Sequence, residues 1–222
     1  HLGPGDTRPI GPAPKVPPAS AGSPLAVLGP GSGLGGAALL PASPFPLPLV
    51  GEGCHASLAA ADAAESALFE VLRRDFGHVS AERLLSGPGL ANLHRALSLL
   101  RGEAPQALEP AEITRRGLEG GDPLCHDVLR HFCRLLGGFA GNVALSFGAR
   151  GGVFLGGGIL PRFPDFLAAS DFRRRFEDKG RFRTYLALAA GVSVEDVQAI
   201  VLGAHTDKDM VPVLSTATIG NV

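Results

Sequence analysis

From Val16 to Gly51 the chain carries no charged residue, and eight prolines cut that stretch: Pro17, Pro18, Pro24, Pro30, Pro41, Pro44, Pro46 and Pro48. Its length and hydropathy alone would suit a membrane span. Each proline, however, removes a backbone donor and breaks the helix that a span requires, so only short extended pieces and turns remain. Twelve of the 19 prolines fall in the first 50 residues, and residues 1–23 accordingly read as an irregular Pro/Gly-rich arm.

Two apolar runs then end in glycines. Leu25-Ala26-Val27-Leu28 meets Gly29-Pro30-Gly31-Ser32-Gly33-Leu34-Gly35-Gly36, and Gly152-Val153-Phe154-Leu155 meets Gly156-Gly157-Gly158. Both read as buried strands entering tight turns, with a further short strand near Ala37 to Leu40. Between and after them the apolar spacing becomes helical. One helix is expected from Asp62 to Gly77, a short one capped by Ser80, and one opened by Ser86-Gly87-Pro88 and ending by Gly102. A long helix is opened by Asp122-Pro123, with Gly137, Gly138 and Gly141 allowing close packing or a kink. Pro161 to Lys179 returns to helix, Val192 to Asp196 reads as a helix or turn, and Ala199 to Leu202 reads as a strand. Strands alternating with helices make this an α/β chain.

With 45% hydrophobic and 18% charged residues, the 222-residue chain lies outside the range of wholly disordered sequences. Its net charge of -1 gives no basic footprint for nucleic acid and no polybasic anchor for a membrane. Three cysteines point to a reduced, cytoplasmic compartment rather than to a disulfide framework. The chain starts at His1 and its single methionine is Met210, so it reads as a piece of a longer protein.

Side-chain-free residues between Gly29 and Gly35 let backbone N–H groups approach a phosphate. Gly31 to Gly36 also satisfy G-x-G-x-x-G, with Glu52 about 20 residues onward, but the dinucleotide fingerprint needs a helix at the glycines and the prolines from Pro41 to Pro48 deny it. A glycine hairpin without a ligand is the plain alternative. Gly51-Glu52-Gly53-Cys54-His55 sets a carboxylate and an imidazole three apart in a turn, and Glu82 adds a second carboxylate. Acceptor carboxylates and an imidazole suit a neutral polyol, whereas the bland reading is a solvated Glu and a surface His. Cys54-His55, Cys125-His126 and His131-x-Cys133 are weak zinc candidates, since neither C-x-x-C nor H-E-x-x-H occurs, and no metal site is expected.

Gly31-Ser32-Gly33-Leu34-Gly35, the Gly51 to His55 turn, Gly77-His78-Val79-Ser80-Ala81-Glu82-Arg83-Leu84-Leu85-Ser86-Gly87-Pro88-Gly89-Leu90 and Gly151 to Ile159 together resemble the bacterial glucokinase family. The resemblance runs from about Pro24 to about Leu186. It implies part of the large domain of an actin-like (ribonuclease H-like) ATPase, spanning residues 24–180. It implies that Gly31, Ser32, Gly33 and Gly35 hold ATP phosphates with Mg, that Gly156, Gly157 and Gly158 lie against adenosine, and that Glu52, His55 and Glu82 bind glucose hydroxyls. Ser32 stands where the family usually has Thr, and Cys54 where it usually has Gly, which would set a side chain beside the sugar. The family's D-x-G-G-T motif and its Asn-Asp base pair are absent from this sequence.

Residues 181–222 resemble the lactate and malate dehydrogenase family, through Ala190 to Asp207 and Met210-Val211-Pro212. Asp178, Arg181 and His205 would then be the proton relay and carboxylate site of an NAD enzyme, joined to the kinase-like part within Asp178 to Ala187. The expected function is ATP-dependent phosphorylation of glucose, with the isolated chain inactive and a homodimer of the parent left open. The alternatives are a malate dehydrogenase fragment and a non-catalytic binding remnant.

Overall fold

The computed structural model describes residues 7–10, 22–187 and 192–195. Among these residues six strands form one mixed sheet: β1 (Thr7–Ile10), β2 (Leu25–Pro30), β3 (Leu34–Leu40), β4 (Leu47–Val50), β5 (Gly152–Leu155) and β6 (Val192–Glu195), in the order β1-β6-β5-β2-β3-β4. β2 runs parallel to β5 and β5 parallel to β6, whereas the β2/β3, β3/β4 and β1/β6 pairs are antiparallel. In β2 the burial alternates, with Ala26, Leu28 and Pro30 buried, as a period of two requires for a strand with one face on the core. β4 contains Pro48, which the sheet tolerates because β4 lies at its edge.

Among the described residues, seven helices follow, several of them from local signals. In α1 (Ala63–Phe76) the Asp62 carboxylate accepts the Glu65 N–H at 2.9 Å, while the Glu65 carboxylate accepts the Ala61 N–H at 2.7 Å, a reciprocal cap. Ser86 caps α2 (Gly87–Leu100) by accepting the Gly89 N–H at 3.1 Å. α3 (Pro110–Glu119) starts at a proline and is tied along its surface by Glu112 to Arg115 and Arg116. Asp122 caps α4 (Pro123–Phe147) through the Leu124 and Cys125 amides, both at 3.0 Å. The short helices α5 (Pro164–Ala169), α6 (Phe172–Glu177) and α7 (Arg183–Ala187) complete the set.

α4 is the hub, touching α2, α3, α6, α7, β2 and β5. Its glycines explain how α6 comes so near. A Cβ on Gly137 would stand 2.2 Å from the Phe172 carbonyl oxygen, and one on Gly141 2.4 Å from that of Phe176. Two bare positions one turn apart thus let the backbone of α6 lie directly on α4, with Phe172 and Phe176 stacked in the core.

Several expectations change. Thr7–Ile10 is a strand rather than irregular arm, and Val192–Glu195 is a strand rather than a helix or turn, because β6 pairs with β5 and β1 adds to the edge of the sheet on β6. Ser80 accepts the Arg83 N–H at 3.3 Å but opens only a turn, since Ser86 restarts the chain in a new direction six residues later. Ser170 interrupts the expected helix between Pro161 and Lys179. α3 and β4 have no counterpart in the sequence reading, α3 because its pattern is charged rather than apolar and β4 because of its prolines. Ala199 to Leu202 lies outside the described residues.

Candidate active site

The two glycine turns meet at the ends of β2 and β5. The Gly156 N–H donates to Leu28 O at 2.8 Å, and the Ile159 N–H reaches Pro30 O at 3.4 Å. Gly157 has φ +84°, and a Cβ on it would lie 2.1 Å from Pro30 O, so only glycine lets the second turn cross the first. Gly35 and Gly158 differ, for a Cβ on either meets nothing within 4 Å. At these two positions the backbone faces open space rather than a packed neighbour. β3 rather than a helix follows the first turn, as expected of a segment that fails the dinucleotide fingerprint.

The Gly51 to His55 turn reaches the same place by strand-like pairing. Leu58 N–H donates to Val79 O, Ala81 N–H to Ala56 O and Glu82 N–H to Cys54 O, at 3.0, 3.1 and 3.0 Å. This pairing lays residues 54–58 along 79–82 and sets Glu82 beside His55. His55 Nε2 is 3.5 Å from Glu52 Oε2, and its Nδ1 is 3.7 Å from Glu82 Oε1. The three expected residues therefore converge, at side-chain exposures of 81% for Glu52, 45% for His55 and 32% for Glu82. All three tips are accessible, and both ring contacts are at or beyond hydrogen-bond length, so a hydroxyl can approach from the side and bond two of these groups at once.

Glu82 also reaches the first glycine turn, where its Oε2 accepts the Leu34 N–H at 3.0 Å. Ser86 Oγ donates to Glu82 O at 2.8 Å, and the Gly87 N–H donates to Gly31 O at 2.8 Å, so the start of α2 grips the turn a second time. His78 is a residue the sequence reading assigned no role. Its Nε2 lies 2.9 Å from His55 O and its Nδ1 3.5 Å from Ser57 Oγ, which holds the loop that presents His55. The signal was its place in the Gly77 to Leu90 motif, but nothing local ties it to a residue 23 positions earlier.

The Cys54 side chain does stand beside the Gly51 to His55 turn, but it points inward: it is buried, with Sγ 2.9 Å from where a Gly36 Cβ would be, so the bare Gly36 makes its pocket under β3. Burial, then the Glu82 and Glu52 carboxylates, push its thiol up to about 11. The weak zinc pairs are otherwise engaged, for Cys125 Sγ donates to Asp122, Cys133 is buried, and His131 Nδ1 lies 2.9 Å from Asp127 O. Among the described residues no group of three or more His, Cys, Asp or Glu is placed to hold a metal ion.

Of the dehydrogenase set, only Asp178 and Arg181 fall within the described residues. The Asp178 carboxylate accepts from Arg183 at 2.9 Å, the Arg181 guanidinium lies 5.3 Å from the centre of the Phe182 ring, and His205 lies outside the described residues. Asp178 takes Arg183 because the 3-10 turn Gly180–Phe182 leads into α7 with Arg183 as its first residue.

A family model described as Glucokinase matches residues 2–209. The chain belongs to the glucokinase family. The glucokinase of Chromobacterium violaceum is 54% identical over 165 residues, covering 74% of this chain and 47% of that protein. The Nitrobacter hamburgensis glucokinase is 45% identical over 203 residues, covering 91% and 62%. Among solved structures, a glucokinase from an Antarctic psychrotroph superposes with TM-score 0.80 at 36% identity, over 88% of this chain and 59% of that one. A more distant glucokinase, from Balamuthia mandrillaris, shares the fold at TM-score 0.66 and 19% identity. The α/β fold is thus that of the actin-like sugar kinases, and the chain spans about half the length of the curated relatives it matches. The family match runs through Asp178 to Ala187, where a join was expected, and on to residue 209. With β6 paired to β5 beyond that stretch, both observations run against a foreign tail.

Proposed function

We propose that residues 24–180 form the sugar- and nucleotide-binding lobe of an ATP-dependent glucokinase, which phosphorylates glucose to glucose 6-phosphate. One observation carries this reading: Glu52, His55 and Glu82 converge from two segments beside the crossed glycine turns, and Glu82 touches both places. Glu52 and Glu82 accept from sugar hydroxyls, while His55 either donates or accepts according to tautomer. The Gly31-Ser32-Gly33 turn with Gly35 provides backbone donors and an open face for phosphates, and Gly156, Gly157 and Gly158 border the nucleoside. Open space at Gly35 and Gly158 fits a ligand that presses against backbone. Bound Mg-ATP supplies the transferable phosphoryl group, with magnesium arriving on the phosphates.

Phosphoryl transfer depends on positioning and charge stabilisation, and the acceptor hydroxyl needs a base. The sequence offers no Asn-Asp pair for that role. Glu52, His55 and Glu82 therefore hold and orient the sugar, and the chain by itself binds glucose weakly without turning it over. Isothermal titration with glucose and a coupled assay at saturating glucose and Mg-ATP test this. Saturable glucose binding weakened roughly tenfold in Glu52→Ala, with no turnover, is the expected result. A chain that binds no glucose overturns the sugar-site reading, and turnover abolished by Glu52→Ala would place the missing chemistry within these residues.

A further inference from the structure

The Glu82 carboxylate has two ends with two different neighbours. Oε1 faces His55 at 3.7 Å and Oε2 accepts the Leu34 N–H at 3.0 Å, across 48 residues of sequence. Leu34 is the first residue of β3, immediately after Gly33, so this bond fixes the exit of the Gly31 to Gly33 turn. The entrance is fixed from the same segment, by the Gly87 N–H on Gly31 O. Glu82 itself is held by its own N–H on Cys54 O and by Ser86 Oγ on its carbonyl. Its backbone is thus fixed, and the carboxylate changes place only by rotation of its own side chain.

We infer that Glu82 is the positioning residue that couples the two substrates of this site, so that sugar on Oε1 steadies the Leu34 amide on Oε2 and with it the turn that receives the nucleotide. The inference rests on the sugar and nucleotide assignments just made and adds a linkage between them. A carboxylate has lone pairs enough to accept from a sugar hydroxyl on one oxygen and from an amide on the other, so neither contact displaces the other. A group that gains a second partner is more ordered, and the next ligand meets a turn already set. Linkage requires the effect to be reciprocal: nucleotide must tighten glucose by the factor by which glucose tightens nucleotide.

Gly33 allows a test from the opposite side of the linkage. It is not among the positive-φ glycines, so alanine suits its backbone, but its Cβ would stand 2.7 Å from Glu82 Oε2. The neighbour that must yield is the far end of a flexible side chain, so Gly33→Ala should fold and yet displace the carboxylate. Glucose and Mg-ADP are each titrated calorimetrically into the full chain, alone and with the other saturating, for the parent, Gly33→Ala, Glu82→Gln and Glu82→Leu. Glucose is expected to tighten Mg-ADP roughly fivefold in the parent, with the reciprocal factor equal. Gly33→Ala, a change on the nucleotide side, is expected to weaken glucose roughly tenfold with the thermal midpoint held. Glu82→Leu should weaken Mg-ADP even without sugar, whereas Glu82→Gln, which keeps an oxygen for the Leu34 N–H, should weaken it less. A parent that binds neither ligand overturns the functional reading and the linkage together. A parent that binds both, with glucose affinity unchanged in Gly33→Ala or Mg-ADP affinity equal in all Glu82 variants, overturns the linkage alone.

Discussion

Two clusters in this protein are made of the same ingredients and are built oppositely. At the α1/α4/α6 junction, Glu65 is 1% exposed and takes Arg134 Nε at 2.9 Å, Arg175 Nη2 at 3.0 and 3.1 Å and the Ala61 N–H at 2.7 Å. Asp62 pairs with Arg134 as well. At the candidate active site, His55 stands 3.5 Å from Glu52 and 3.7 Å from Glu82, and all three side chains remain accessible. The first cluster has spent nearly all the capacity of its carboxylates on the protein itself, with Arg175 Nε the buried side-chain atom left without a partner among the described residues, and the second leaves much of its own open to solvent. A buried carboxylate left partly unpaired would cost several kcal/mol, whereas an exposed one is served by water until something replaces it. Saturation of partners, rather than the presence of charge, separates structural from binding carboxylates here.

The largest effect should come from breaking the buried cluster. Glu65→Ala leaves Arg175 buried and unpaired and should lower stability by about 3–5 kcal/mol, seen as a large drop in thermal midpoint by calorimetry. A loss under about 1 kcal/mol would mean that Arg175 finds water, and saturation of partners would then not separate the two clusters. Gly141→Ala attacks the same layer sterically, at the α4/α6 approach, and overpacking of this kind typically costs about 1–3 kcal/mol. Chemical denaturation would measure it, and an unchanged midpoint would show that α6 can slide.

The open cluster should behave in the reverse sense. Glu52→Ala is expected to leave the thermal midpoint within about a degree while weakening glucose roughly tenfold, the worth of one charge-assisted hydrogen bond. Titration calorimetry and a melt on the same sample decide it, and a melt that falls with the affinity would make Glu52 structural.

Acid should separate the clusters next. The Glu65 amide above all, opposed by partial burial and helped by Arg134, holds the Asp62 carboxyl below its ordinary value, and Arg174 does the same for Asp171. Folded values below the unfolded ones give stability that is complete above about pH 4 and is lost as pH falls through the lower folded values. Asp62→Asn should therefore flatten the acid limb of the stability curve below about pH 4 and leave neutral stability lower. Smallest of all, Glu112, held down to about 2 by hydrogen bonds from Arg115 and Arg116, lies on the surface of α3. Glu112→Gln should change the melt barely at all in moderate salt, because an exposed pair is screened.

Much of this was legible in the residues. Asp62, Ser86 and Asp122 announced three helix starts because a cap reaches only two or three residues ahead, and the structure uses all three. The runs into Gly29 and Gly156 announced two strand-to-turn units for the same reason of local range. Glu52, His55 and Glu82 could be named from motifs, but their meeting depends on residues 54–58 pairing along 79–82. Cys54 looked like an intruder in the sugar turn, and only the bare face of Gly36 shows where its sulfur goes. Thr7–Ile10 and Val192–Glu195 carry little periodicity in four residues each, and they are strands by virtue of distant partners: β6 pairs with β5, and β1 adds to the edge of the sheet on β6.

What the chain determined by itself is therefore everything that acts within about one helical turn or one hairpin: the caps, the breaks at proline, and the glycines where backbone must turn sharply. Tertiary structure decided which of those pieces touch. Glu82 reaches Leu34 across 48 residues and Arg175 reaches Glu65 across 110, and no local preference selects such partners. They follow from burying the apolar faces of α4, α6 and the sheet against one another, after which each polar group left inside must find an acceptor or donor within reach.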